Sequence, residues 1–208
     1  MHEITSEAVP PVDFNKIRCI NNYSDICQDY SSYLGDESKL AHKGAHYLFF
    51  PTNEAELSAI FKEMNEKNVT VTLSGSRTGL VGGAVPYGGA VVSLERCNKI
   101  LGLRYDTQSK EWRVKAQCGV TLQDLNNCAM KKDFPGLFEN SSAETKAFLN
   151  KYKQSDTTYF YPPDPTEMGA ALGGTVSTNA SGARTYRYGA TRNWVRWLRV
   201  ILASGEVL

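Results

Sequence analysis

The chain has 208 residues, of which 41% are hydrophobic, enough to bury a core in one or two domains. Its formal net charge is +1, so no global field steers it toward nucleic acid or an acidic membrane surface. No long apolar run is present, and Met1 to Pro11 carry acids and prolines rather than a basic then apolar leader; this composition predicts a cytoplasmic chain without a transmembrane segment. The five cysteines, Cys19, Cys27, Cys97, Cys118 and Cys128, are odd in number and include no Cys-x-x-Cys pair, which predicts reduced thiols.

In chain order, residues 1–42 read as an N-terminal extension with a helical segment. The three histidines, His2, His42 and His46, all fall early. His42 and His46 have the i, i+4 spacing of a helical metal pair, but Gly44 between them breaks that helix, so no metal is expected and both read as loop residues. Tyr47-Leu-Phe-Phe50 reads as a strand. Asn53 then caps a helix with Glu56 three residues on, and Leu57, Ile60, Phe61 and Met64 recur on one face before Asn68 ends it. Val69 to Leu73 alternates as a second strand. The strand–helix–strand succession predicts a parallel pair with a crossover between them.

The segment Leu73-Ser-Gly-Ser-Arg-Thr-Gly-Leu-Val-Gly-Gly-Ala-Val-Pro86 carries the strongest chemical signal. Glycines at this density let the backbone approach an anion closely, as in a phosphate cradle. A P-loop requires Gly-Lys-Ser/Thr, and Leu80 follows Gly79 where the lysine should stand. A Rossmann turn opens a helix, which Gly82, Gly83, Pro86, Gly88 and Gly89 prevent here; Glu95 only imitates its ribose-binding acid. Ala90 to Leu94 reads as the next strand.

Beyond Glu95, Ile100–Tyr105 and the alternating run Trp112, Val114, Ala116, Cys118 predict an antiparallel hairpin turned at Asp106–Lys110. Thr121 caps a short helix bearing Leu122 and Leu125. Residues 131–158 read as a surface insertion, mainly loop, with a helical piece at Ala143–Lys151. At the C-terminus, Trp197–Leu202 reads as a strand, Ala203–Glu206 as a hairpin turn, and Val207-Leu208 as the start of a return strand, a pattern that predicts truncation.

The glycine loop resembles that of the vanillyl-alcohol oxidase / p-cresol methylhydroxylase (PCMH-type) flavoproteins, of the form Gly-x-x-x-Gly-Leu-x-Gly-Gly-Ala-Val-Pro. A second block, Tyr161-Pro-Pro-Asp-Pro165 through Gly173-Gly174-Thr-Val-Ser-Thr-Asn-Ala-Ser-Gly182 to Arg192, is similar to the same family in the expected order. Both blocks are most similar to the FAD-linked D-lactate dehydrogenase and glycolate oxidase subunit group. The resemblance implies an α+β, two-lobed FAD-binding domain: a small parallel β-α-β lobe over 43–105, then a mainly antiparallel lobe over 106–208, incomplete at its end. The substrate domain of relatives is expected to lie outside this sequence. FAD would lie between the lobes.

Family members bind the FAD pyrophosphate through main-chain amides of the first loop, here Ser74, Gly75, Ser76, Arg77, Thr78, Gly79 and Leu80. The second block implies further cofactor contacts at Pro163, Asp164, Thr166, Gly173, Gly174, Ser177, Thr178, Asn179, Ala180, Ser181 and Gly182. No histidine, tyrosine or cysteine lies between Ser74 and Leu80, which favours non-covalent FAD. The implied reaction is oxidation of a D-2-hydroxy acid by hydride transfer to flavin, followed by reoxidation by an electron acceptor. No histidine lies near either block to act as base, so no catalytic residue is assigned and the chain alone is expected to be inactive. The alternatives are a flavin- or partner-binding module without turnover, completed by another subunit or domain, and a sugar-lactone oxidase or alkyl-glycerone-phosphate synthase. Arg184, Arg187, Arg192, Arg196 and Arg199 interleave with Tyr186, Tyr188, Trp194 and Trp197 like a nucleic-acid surface. The first three fall on arginine positions of the family, which favours structural pairing with carboxylates or cofactor oxygens over nucleic acid. Asn193 departs from the aspartate common there.

Overall fold

The computed structural model describes residues 13–139, 141–164 and 166–208, without the Phe14 side chain; His2 and the rest of the first twelve residues, Asn140 and Pro165 lie outside them. The chain divides into two compact units, residues 1–97 with 196–208, and residues 98–195.

The first unit is built on β1 (Cys19–Ile20), α1 (Tyr23–Asp29), β2 (Tyr47–Phe49), α2 (Glu54–Glu66), β3 (Val71–Ser74) and β4 (Ala90–Ser93). Its sheet has the order β1-β2-β4-β3. β1 is antiparallel to β2, and β4 is parallel to both β2 and β3. The strands flanking α2 therefore run parallel, as expected, but are not neighbours. All four residues of β4 are buried, and this most apolar run occupies the centre, where both faces are covered. Ile26, Leu34, Ala45, Leu48, Phe50 and Val91 form one core cluster.

α2 follows its capping signals. Asn53 Oδ1 accepts the Glu56 N–H at 2.9 Å, and the Glu56 carboxylate accepts the Thr52 N–H at 2.7 Å. Leu57, Ile60 and Met64 are buried, and Asn68 leaves the helix at φ +52°.

The C-terminal segment returns to this unit. Arg199 makes a two-point ion pair with Glu54, its Nη2 donating to Oε1 at 2.9 Å. Gly205, at φ +83°, sits so close to α2 that an added Cβ would meet the Ser58 carbonyl oxygen at 2.6 Å. The expected turn forms, closed by Leu202 N–H to Glu206 O at 2.8 Å and the bridge Ile201–Val207. The expected strand over Trp197–Leu202 does not form: only this bridge is present, and Trp197, Leu198 and Val200 are exposed.

The second unit contains β5 (Ile100–Asp106), β6 (Glu111–Ala116), α3 (Leu122–Lys131), α4 (Ala143–Gln154), α5 (Leu172–Ser177) and α6 (Thr185–Tyr188). β5 and β6 pair antiparallel with Tyr105 opposite Trp112. Because β5 pairs along its length with β6, the boundary falls at 97/98 rather than 105/106. Likewise residues 13–42 are no separate extension: β1 joins the sheet, and Ile26 and Leu34 enter the core of the first unit.

Within residues 131–158, four side chains turn inward rather than to solvent. Phe134, Leu137, Leu149 and Tyr152 join Leu103 in the core of the second unit, with Trp112, Cys128 and Tyr159 packed against them. Trp112 meets Tyr152 edge to face at 4.7 Å, and the Tyr152 hydroxyl donates to the Ala129 carbonyl at 3.1 Å. The helical piece expected at Ala143–Lys151 extends to Gln154, with Ser142 accepting the Thr145 N–H at 3.3 Å as its cap.

Candidate functional site

Ligands of parallel α/β sheets bind beyond the carboxyl ends of the strands. In the first unit the glycine loop leaves β3 at this end. Ser74 closes the strand opposite Ser93, and both are fully buried. The Ser93 hydroxyl has no hydrogen-bond partner there. Arg77 turns the chain at φ +59°, and its guanidinium Nη1 donates back to Ser74 Oγ at 3.3 Å and Gly75 O at 3.2 Å.

Beyond Ser74 the main chain offers donors with nothing to receive them. Among the described residues, none of the N–H groups of residues 75–81 donates to a protein acceptor. Gly79 and Gly83 have no backbone near the position a Cβ would take; the closest atom to Gly79 is Asp36 Oδ2 at 3.7 Å, and Gly83 faces open space. Leu80 and Val81 are 75% and 80% exposed. Consecutive unpaired N–H groups on an open, glycine-lined turn fit a multiply charged anion such as a pyrophosphate.

Two residues that the sequence reading missed, Asp36 and Tyr33, frame this loop. Asp36, 8% exposed, accepts the Ser38 N–H at 3.0 Å and the Ala84 N–H at 3.3 Å. Burial alone would raise its carboxyl pKa; hydrogen bonds from the Ser38 side chain and from the N–H groups of Ser38, Ala84 and Gly82 outweigh that and hold it below the ordinary value. Tyr33 lies under Arg77, whose guanidinium carbon is 4.7 Å from the ring centroid, and its hydroxyl donates to Glu95 at 3.0 Å. Glu95 thus serves Tyr33 rather than a ribose. The short motif Asp36-Glu-Ser38 could have been read as an Asx turn; its reach to Ala84 left no local signal.

In the second unit, the second block is held from below by α3. Leu122 N–H donates to Ala170 O at 3.0 Å and Gln123 N–H to Met168 O at 2.9 Å. Gly173 and Gly174 differ in role. Gly173 packs on Cys118, where a Cβ would stand 2.7 Å from Cys118 Cβ, whereas Gly174 faces open space. The N–H groups of Gly174, Ser181, Ala183 and Arg184 have no protein acceptor among the described residues.

Several residues expected at the cofactor make hydrogen bonds within this block. Ser177 donates to Gly173 O at 2.9 Å and Thr178 to Gly174 O at 3.0 Å. Asn179, at φ +47°, accepts the Arg192 N–H through Oδ1 at 3.1 Å. Ala180 O accepts from Thr191 Oγ1 at 2.8 Å, and Gly182 N–H donates to Thr185 Oγ1 at 2.7 Å. Asp164 accepts the Thr166 N–H at 3.1 Å and pairs with Arg184 Nε at 3.3 Å, the structural ion pair anticipated for that arginine. Pro163 is buried, Thr166 turns the chain at φ +79°, and Ser181 is exposed. His42 Nδ1 accepts the Gly44 N–H at 3.1 Å, and the His46 ring lies 5.5 Å from that of Tyr23.

A parallel strand–glycine-loop–strand unit with free loop amides defines a nucleotide-phosphate binding domain. The FAD binding domain family matches residues 45–146 and 149–208, and the chain belongs to that family. A D-lactate dehydrogenase of Anaerostipes hadrus is 43% identical over 158 residues, covering 76% of this chain and 27% of the relative. A D-2-hydroxyglutarate dehydrogenase of Xanthomonas citri pv. viticola is 36% identical over 163 residues, covering 77% of this chain and 28% of the relative. Among solved structures, 6-hydroxy-D-nicotine oxidase from Arthrobacter nicotinovorans superposes with a TM-score of 0.63 at 14% identity, over 93% of this chain and 35% of that one. The chain therefore has the α+β FAD-binding fold and spans only 27% and 28% of the length of these two curated relatives. Among the described residues, no helix is long and apolar enough to cross a membrane.

Proposed function

We propose that this chain is the FAD-holding part of a dehydrogenase that oxidises a D-2-hydroxy acid of the D-lactate or glycolate type. The observation that carries this reading is the row of free N–H groups over residues 75–81 at the carboxyl end of β3. In this account they receive the FAD pyrophosphate, and Gly79 and Gly83 keep side chains out of its way. Within the second unit, the free N–H groups of Gly174, Ser181, Ala183 and Arg184 are the donors that its own block offers to a cofactor. When bound, FAD supplies the hydride acceptor, and the chain's own residues bind and orient it. The relatives named as hydroxy-acid dehydrogenases support the substrate class.

FAD is held non-covalently, because the loop presents no histidine, tyrosine or cysteine between Ser74 and Leu80. The hydroxy acid, its base and the electron acceptor are met by sequence that relatives carry beyond the matched region. Five cysteines, none in a disulfide, support a reducing, cytoplasmic setting.

The test is FAD titration followed by anaerobic addition of D-lactate, glycolate and D-2-hydroxyglutarate to the chain joined to the remaining length typical of its relatives. Bleaching of the flavin band by a D-2-hydroxy acid is the expected result. FAD binding without bleaching by any hydroxy acid would reduce the function to flavin binding.

A further inference from the structure

The loop that carries the free amides has little to hold it. Between the end of β3 and the start of β4 it crosses residues 75–89, and its own hydrogen bonding includes Val85 N–H to Gly82 O at 3.1 Å. At its far end Gly89 O accepts the His46 N–H at 2.7 Å, and further anchors come from a strap at residues 33–44. Glu37 N–H donates to Arg77 O at 3.3 Å, Lys43 N–H donates to Pro86 O at 3.0 Å, and Asp36 Oδ2 accepts the Ala84 N–H at 3.3 Å. The Tyr33 ring supports the Arg77 guanidinium. Leu40 lies so close over Gly82 that an added Cβ would meet its Cδ1 at 2.6 Å. Every one of these strap residues precedes residue 45, where the match to the FAD binding domain family begins.

Asp36 is the hub of the strap. One carboxylate oxygen is occupied by Ser38, through both its N–H and its hydroxyl, and the other turns to the glycine loop. This second oxygen is also the atom nearest to where a Cβ on Gly79 would stand, at 3.7 Å. A negative group so near a phosphate cradle would by charge alone oppose an anionic ligand. Its geometry gives the opposite role. By taking the N–H of Ala84 it fixes the far arm of the loop while the N–H groups of 75–81 stay unpaired. A loop ordered beforehand spares the bound state the entropy of fixing it.

We propose that Asp36 is a positioning residue that, with the 33–44 strap, holds the glycine loop in its anion-binding shape before the cofactor arrives. The proposal rests on the reading that residues 75–81 receive the FAD pyrophosphate. Asp36→Asn separates geometry from charge. An amide can keep the bond from Ser38, but its Nδ2 then presents a donor to the Ala84 donor.

Two readouts are taken on the same protein: amide hydrogen exchange over residues 75–86 without cofactor, and the FAD dissociation constant from flavin fluorescence. The expected result for Asp36→Asn is faster exchange confined to the loop and FAD binding weakened roughly tenfold, the equivalent of one lost hydrogen bond. Ser38→Ala, which removes one donor to the carboxylate at a half-buried site, should move both readouts the same way and by less. Should Asp36→Asn fail to fold, Ser38→Ala alone decides. Unchanged loop exchange, or tighter FAD binding, in whichever variant decides would overturn the proposal. Gly79→Val separates the two readings. If it binds FAD as the parent does, the pyrophosphate assignment falls, while loop exchange in the Asp36 and Ser38 variants still reports on the strap.

Discussion

Gly173 donates its N–H to the Cys118 carbonyl at 2.8 Å, and a Cβ on Gly173 would stand 2.7 Å from Cys118 Cβ. A Cβ on its neighbour Gly174 would meet nothing within 4 Å. Two adjacent glycines in α5 therefore do different jobs, one allowing helix and chain to touch, the other leaving space and a free N–H. Gly173→Ala should destabilise the protein by ~1–3 kcal/mol through overpacking. Gly174→Ala should leave stability equal or raise it by up to ~1 kcal/mol, since alanine favours a helix, yet weaken FAD binding. Thermal melting of the cofactor-free protein alongside FAD titration checks both, and a stable Gly173→Ala would refute the packing role.

Asn179 matches a family position for cofactor contact, but its Oδ1 is committed to the Arg192 N–H. Its backbone sits at φ +47°, a conformation that asparagine tolerates better than most side chains. Asn179→Ala should cost ~1–2 kcal/mol of stability from the lost hydrogen bond and the strained turn. Asn179→Gly should lose only the hydrogen bond and cost less. Equal melting temperatures for the two variants would remove the backbone contribution from this account.

The segment 131–158 is tested by its core residues. Leu149→Ala should destabilise the second unit by ~2–5 kcal/mol, as for other buried leucines. Tyr152→Phe, which removes the hydroxyl bond to the Ala129 carbonyl but leaves that carbonyl the Lys132 N–H at 3.3 Å, should cost ~1 kcal/mol. A loss below 1 kcal/mol for Leu149→Ala in denaturant titration would return the segment to the surface.

Asp36 also predicts a pH dependence. Its carboxyl pKa is lower in the folded chain than the ordinary 3.8. A depressed carboxyl contributes stability that is fully present above the unfolded value and lost as pH falls through the folded one. The difference in melting temperature between the parent and Asp36→Asn should thus be largest near neutral pH and shrink below 3.8. A difference that does not change with acidification would mean that Asp36 is not an ionised hydrogen-bond acceptor.

Much of this was readable from local chemistry. The Asn53–Glu56 capping box, the Thr121 cap and the alternation through Trp112, Val114 and Ala116 each act within a few residues, and each formed where expected. Strand order was not readable, because nothing local says that β4 inserts between β2 and β3. The core role of Leu149 and Tyr152 was hidden among the lysines of 146–153, whose charged face suggested solvent. At the candidate site the glycines gave the loop away. The partner of that loop, Asp36, lies 48 residues from Ala84, and only the folded chain brings them together.

The central claim is that the amides of residues 75–81 hold the anionic part of FAD. Amide hydrogen exchange with and without saturating FAD tests it most directly. The account predicts strong protection over 75–81 on FAD binding, and its loss in Gly79→Val. FAD that binds while these amides exchange as fast as in the free protein would contradict it.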